Sequence, residues 1–333
     1  MLLSQKSLEA LQNQKNLLAF SAGVDSSALF FILLKKNISF DIALVNYNTR
    51  ESSKDEANHA KKLAIKYNKN CYIKDITLLN KNFEHNARKI RYDFFEDLIQ
   101  KHNYKNLITA HHLNDKLEWF LMQLTKGAGL VEMLGFDEIE DRKSYKLIRP
   151  LIDTDKDSLQ NYLDENNIDY FIDESNFDPK YKRNIFRHDF SNPLLKKYKK
   201  GIQKSFQYLK EDKDILFDLN IIEEIQELVI LKRDPHETTN IRQIDKILKY
   251  KGYILSKAQK DEVLNHKDIV ISDKYVIAWS SEKIYISPYL STNMDKRTKE
   301  LYRKLSIPPK IRPYLHDIGY QPKINQQDTD LQV

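Results

Sequence analysis

The 333-residue sequence holds a single cysteine, Cys71, and only two tryptophans and seven glycines. One thiol cannot close an intrachain disulfide. Without a CxxC pair there is no thiolate set for structural zinc or an iron–sulfur cluster, so a reducing compartment is expected. No apolar run approaches the roughly 18 residues needed to span a bilayer. The start, MLLSQKSLEALQNQKN, lacks the basic-then-apolar order of a secretory leader. The expected location is cytoplasmic, with no membrane partner. Neither charge sign dominates: 54 basic residues stand against 48 acidic ones, a formal net charge of +6. That balance permits nucleic acid as a partner without requiring it.

What is present suffices for a large core. Hydrophobic residues make up 41% of a chain longer than a usual single domain, which points to two domains. The first half alternates short apolar runs (Asn16–Phe20, Phe40–Asn46, Cys71–Leu78, Asn106–Ala110) with stretches whose apolar residues recur every three or four positions. Those stretches lie near Asp25–Lys36, Lys54–Tyr67, Phe83–His102 and Asp115–Lys126. This alternation predicts a doubly wound α/β fold with a mainly parallel sheet. A further strand over Lys146–Ile152 precedes a helix over Thr154–Asn166, with Thr154 as its expected N-cap. From Ser191 a lysine-rich helical connector leads to a domain boundary near residue 216. Beyond it a smaller, largely helical C-terminal domain is expected, with a hairpin over Lys274–Tyr289 turning at Ser280–Lys283 and a disordered tail, QPKINQQDTDLQV.

The most informative segment is LLAFSAGVDSSALFFILL, in which a buried strand runs into a small polar loop and then an apolar helix. A helix beginning at the carboxyl end of a parallel strand presents unpaired N–H groups to an anion, and Ser21, Ala22 and Gly23 are small enough to let phosphate approach. Ser21, Ser26 and Ser27 add hydroxyls. Asp25 would repel phosphate unless a cation stood between them, which suggests magnesium. The plainer reading is an ordinary turn with Asp25 as a cap. A Walker loop is excluded, because no GxxxxGK(S/T) string occurs.

A second constellation, TAHHLNDKLEWFLMQLTKGAG, follows the fourth strand. Strand order lets His111, His112 and Asp115 face the same cleft as Ser21–Ser26, and Asp115 and Glu118 share a helix face. The plainer reading makes Asn114 the helix cap, with the histidines structural. Zinc is the weaker metal, since no thiolate accompanies the histidines.

SAGVDSS resembles the SGGxDS pyrophosphate loop of the PP-loop ATP pyrophosphatases, whose fold is adenine nucleotide alpha hydrolase-like. Ala22 stands where that family usually has glycine, so a positive φ there would be strained. The second block resembles the HHxDDQxET…RGxG block of the tRNA(Ile)-lysidine synthases. His112, Asp115, Glu118, Gly127 and Gly129 match, while Asn114, Lys116, Trp119 and Lys126 replace Asp, Gln, Thr and Arg. Three further blocks agree: VNYNTRES with Arg50, ARKIRY with Arg88 and Arg91, and RPL…DESN…YKRNIFR with Arg183, Asn184 and Arg187. Together the blocks cover about the first 190 residues.

The resemblance implies a ligase that adenylates the wobble cytidine of tRNA(Ile) bearing a CAU anticodon, then lets free L-lysine displace AMP to form lysidine. It implies ATP and Mg2+ as cofactors. Ser21, Ala22, Gly23, Val24, Asp25, Ser26 and Ser27 would bind ATP, and Asp25 and Asp115 would hold the metal. Asp25, His112, Asp115 and Glu118 would carry the chemistry, with His112 or Glu118 as the base for the lysine amine. Arg50, Arg88, Arg91, Lys126, Arg183, Asn184 and Arg187 would contact tRNA, with residues 217–333 as a tRNA-binding domain behind a catalytic domain over 1–216. A homodimer is allowed. The alternatives are tRNA thiolation, which the lone Cys71, expected to be buried in a strand, argues against; amidation of a small molecule; and an RNA-binding protein whose ATP site has decayed.

Overall fold

The computed structural model describes residues 3–48, 52–76, 83–142, 144–172, 182–216, 219–266 and 268–320. The chain divides into two compact units, Met1–Lys213 and Asp214–Val333. Arg50, the segment 173–181 and the tail beyond residue 320 lie outside the described residues.

In the first unit β1 (Asn16–Ala19), β2 (Phe40–Asn46), β3 (Cys71–Asp75), β4 (Asn106–Ile108), β5 (Ile139–Asp141) and β6 (Lys146–Ile148) form one sheet, in the order β3-β2-β1-β4-β6-β5. All pairings are parallel except β5 with β6. Successive strand residues point to opposite faces, and the sequence uses both. Leu18, Ile42, Leu44 and Ile108 pack under α2 (Val24–Lys35) and α3 (Ser52–Lys66). Leu17, Ala43 and Leu107 pack under α4 (Phe83–His102), through Phe95, Leu98 and Ile99. This is the doubly wound sheet that the apolar alternation predicts.

The chain runs outward from β1 through β2 to β3, then returns to the other side of β1 as β4. That reversal opens a crevice at the carboxyl ends of β1 and β4, the place where open α/β sheets bind ligands. Two helices begin there: α2 after β1, and α5 (Leu113–Leu124) after β4. Strand β6 stops at Ile148, short of the expected Ile152, because Pro150 has no N–H to continue a ladder. The helix α7 (Lys156–Glu165) is capped not by Thr154 but by Asp155, whose side chain accepts the Ser158 N–H at 3.1 Å. The Thr154 carbonyl instead accepts the Leu113 N–H at 2.8 Å, at the start of α5. Residues 182–185 form the short helix α8 (Lys182–Ile185), followed by a π-helical turn, Phe186–Ser191, and the long α9 (Asn192–Leu216), kinked at Tyr198.

The second unit enlarges the expectation of a largely helical domain. The predicted hairpin is present as β10 (Tyr275–Trp279) and β11 (Lys283–Pro288), with the Ser280 N–H bonded to the Lys283 carbonyl at 2.8 Å. It is the inner part of a five-stranded antiparallel sheet completed by β7 (Ile221–Ile225), β8 (Leu228–Lys232) and β9 (Asp268–Ile271). One face carries α10 (Glu237–Tyr250) and α11 (Lys257–Asn265), through Ile244, Leu248 and Val263. The other carries α12 (Lys296–Lys304) and α13 (Arg312–Asp317), through Tyr302, Tyr314 and Leu315. Among the described residues no helix is long and apolar enough to cross a membrane.

Candidate active site

The loop after β1 is an anion cradle built from backbone. Gly23 is the N-cap of α2 and offers no side chain to its first turn, so the leading N–H groups of the helix are left for an outside acceptor. Asp25 is therefore not the cap that the plainer reading makes it. Hydroxyls brace the loop: Ser26 Oγ accepts the Ser21 N–H at 3.2 Å and lies 3.1 Å from Ser21 Oγ. Ser27 Oγ is buried and unpartnered. Ala22 has φ +59°, the left-handed region anticipated from the missing glycine, whereas Gly23 has φ −77°. The Ala22 carbonyl is held by the Phe171 N–H at 2.9 Å, within a parallel bridge between Gly23 and Phe171. No sequence signal marks Phe171 for this role, because its contribution is its backbone.

The start of α5 supplies the ionic half. His112 is the N-cap, in place of Asn114, and forms a reciprocal capping box with Asp115. Its Nδ1 accepts the Asn114 N–H at 3.2 Å, and its own N–H donates to Asp115 Oδ2 at 3.1 Å. The Nε2 edge then faces two carboxylates, Asp25 at 3.5 Å and Asp115 at 3.4 Å. His112 thus physically joins the β1 loop to the β4 helix. Burial disfavours the charged imidazole, but Asp115 and Asp25 outweigh it and raise the His112 pKa. Burial also pushes the two carboxyls upward, yet His112 pulls both below the usual carboxylate range, with Lys156 helping at Asp25 and Arg183 at Asp115. His111 lies 2.9 Å from Thr109 Oγ1, and burial lowers its pKa to about 3, although Asp115 opposes the fall, so it is neutral.

Asp115 and Glu118 share a helix face, as their spacing predicts, but their partners are arginines. Arg183 bonds both Asp115, at 2.7 Å, and Glu118; Arg187 Nε bonds Glu118 Oε2 at 3.0 Å. The two guanidiniums expected to line an RNA groove are therefore turned inward here. Glu118 is 1% exposed and both its oxygens are engaged, so it is a poorly placed base. Asn184, from the same segment, is buried. Arg88, Arg91 and Lys126 are exposed, and Arg88 lies near enough to His111 to help depress its pKa.

Two departures from the family pattern avoid the ionic centre. Asn114 bonds the Lys156 N–H at 3.0 Å and Asn192 Oδ1 at 2.8 Å, tying α5 to α7 and α9. Lys116 pairs with Asp153 at 3.0 Å and lies over the Phe206 ring. Neither alters the charge between Asp25 and Asp115. Arg149, a match to the family blocks, is buried on the Asp137 carbonyl and Glu140, each at 2.8 Å.

Residues 3–194, which contain the whole of this site, match the PP-loop domain family. The chain is 45% identical to the tRNA(Ile)-lysidine synthase of Helicobacter pylori, over 93% of this chain and 91% of the relative. It is 43% identical to that of Campylobacter jejuni, over 93% and 95%. The chain belongs to the tRNA(Ile)-lysidine synthase family. Among solved structures it is similar to the U34-tRNA thiolase NcsA of Methanococcus maripaludis with its 4Fe–4S cluster, at TM-score 0.51 and 21% identity, covering 62% of this chain and 76% of that one. This second likeness is one of fold. Cys71, the lone thiol, is half-buried in the edge strand β3, and burial pushes its pKa up, away from a reactive thiolate. The cradle after β1 and the ionic half at the start of α5 lie side by side, joined by His112.

Proposed function

We propose that the chain forms lysidine at the wobble cytidine of tRNA(Ile) carrying a CAU anticodon, using ATP, free L-lysine and Mg2+. The observation that carries this reading is the join made by His112 between the β1 loop and the α5 carboxylates. The cytidine O2 attacks the ATP α-phosphate and pyrophosphate leaves. The lysine ε-amine then attacks C2 and AMP leaves with the O2 oxygen. In the first step the free N–H groups at the start of α2, with Ser21 and Ser26, are placed to stabilise charge gathering on pyrophosphate.

A divalent cation fits the residues present. Asp25 Oδ1 is buried without a hydrogen-bond partner, while Asp25 Oδ2 and Asp115 converge on His112. Mg2+ takes one or two carboxylates and completes its shell with phosphate and water, and the unpartnered Asp25 Oδ1 beside the phosphate cradle fits that habit. Asp25 would hold it through Oδ1, and Asp115 would join only by giving up its bond to Arg183 or to the His112 N–H; when bound the ion supplies positive charge against the departing pyrophosphate.

Lysine attacks only as the neutral amine, and its ammonium pKa is about 10.4. His112 is the proposed acceptor of that proton: its Nδ1 holds only the Asn114 N–H, a bond it gives up on protonation, whereas both Glu118 oxygens are held by arginines. Arg88, Arg91 and Lys126 are proposed to meet tRNA phosphates, with binding that weakens as salt rises.

The test is ATP- and Mg2+-dependent incorporation of radiolabelled lysine into a CAU tRNA(Ile) transcript, comparing the wild type with Asp25→Ala. Incorporation that the variant loses supports the reading. Pyrophosphate release on tRNA without lysine incorporation would keep the adenylation and reject lysine as the nucleophile.

A further inference from the structure

Trp119 follows Glu118 on α5 and lies one turn beyond Asp115 on the same stripe of the helix. Although 37% exposed, it is held in one orientation. Its Nε1–H donates to the Glu132 carbonyl at 2.9 Å, and its ring lies tilted against Phe136, centroids 5.7 Å apart. One side of the five-membered ring rests on Gly135. A Cβ at Gly135 would sit 2.4 Å from Trp119 Cδ1 and Nε1, and the φ of +69° there also favours glycine. Phe136 in turn meets the His111 ring at 5.5 Å and carries the buried Arg149 guanidinium 5.4 Å from its centroid. A row of rings thus runs from His111, beside the reacting groups, to a fixed and partly open indole.

We propose that Trp119 is a stacking platform for an unpaired base of the tRNA anticodon loop next to the target cytidine. The inference rests on the lysidine reading and adds a specificity contact to it. An exposed aromatic locked by a hydrogen bond and a glycine loses little conformational entropy when a base stacks on it. Unpaired bases of single-stranded loops are recognised on aromatic faces of this kind. Asp115 and Glu118, on the same helix, are paired with Arg183 and Arg187, and Lys126 is exposed just past the end of α5; Glu132, whose carbonyl holds the indole, is the acidic residue at that edge.

The chain has two tryptophans, so Trp279→Phe, in the second unit, leaves Trp119 as the sole indole reporter. Titration of this variant with the CAU tRNA(Ile) transcript at fixed salt is expected to quench its fluorescence saturably. Trp119→Leu keeps apolar bulk but has no π face. It is expected to raise the KM for tRNA about tenfold or more, while the KM for ATP and the melting temperature stay near wild type. Trp119→Phe should recover most of the loss. An active wild type with no quenching, and with an unchanged tRNA KM in Trp119→Leu, overturns the proposal. If Trp119→Leu fails to fold, the quenching result alone decides it. If the wild type makes no lysidine, the functional reading fails, and quenching by the same RNA still tests the stacking.

Discussion

The two halves of the site solve opposite problems with opposite materials. The loop after β1 meets its anion with backbone N–H groups and hydroxyls, and its one carboxylate, Asp25, leans toward the neighbouring helix. The start of α5 is ionic: a histidine, two carboxylates and two arginines, with Glu118 almost wholly excluded from water. A backbone site tolerates changes of side chain as long as φ and ψ are kept, which is how Ala22 can stand at φ +59°. An ionic site tolerates small shifts of backbone but not the loss of a partner, because a buried charge left alone is costly.

If that contrast is right, substitutions on the ionic side should do the most damage. His112→Gln removes the proton acceptor that joins the halves, and lysidine formation should fall about 100-fold or more in kcat, with the KM for ATP little changed. An effect on ATP KM alone would move His112 out of the chemistry. Glu118→Gln removes one of the two carboxylates that Arg183 and Arg187 pair with and leaves them Asp115 alone. Urea unfolding should show a loss of roughly 3 kcal/mol, the low end for a broken buried pair because Arg183 remains half-exposed. No loss would mean that the arginines find other partners at no cost.

The pH dependence sharpens the same contrast. Asp25 and Asp115 are held below their ordinary pKa, so their contribution to stability is present above about pH 4 and is lost as pH falls through their folded values. His112 is raised, so its contribution is present below about pH 6.5 and is lost as pH rises through its folded value. Stability should therefore peak in weak acid, and Asp115→Asn should flatten both limbs. A profile unchanged by that substitution would uncouple the groups. The smallest effect belongs to the backbone side: Ala22→Gly should relieve the left-handed strain and raise stability by about 0.5–1 kcal/mol, read as a small rise in melting temperature.

The same division governs what could be read beforehand. Helix Phe83–His102 emerged with its expected limits, and Ala22 was flagged by one missing glycine, because local periodicity and φ preference are properties of a short stretch of chain. The pairing of Arg183 and Arg187 with α5 was not legible. An arginine one turn from another reads equally as a solvated face, and its partner lies 65 or more residues away in sequence. The sequence offers Asn114 as a cap, but it is a brace between three helices, a role set only by where α7 and α9 begin. In the second unit only the β10–β11 hairpin is legible, because its strands alternate; β7 and β8 adjoin just as closely, across Gln226 and Glu227, but β7 is mostly exposed and carries no buried alternation. Strands β7 and β8 are five residues each and join the sheet only through β11, across the length of α10 and α11.

On the proposed function, the loop after β1 and the helix after β4 act as one adenylating site on tRNA. The most direct measurement is pyrophosphate release from ATP by the wild type and by Asp25→Asn, each with and without the CAU tRNA(Ile) transcript and without lysine. Release is expected from the wild type only when tRNA is present, and it should fall by at least about 100-fold in the variant. Release that needs no tRNA, or that Asp25→Asn retains, would contradict that function.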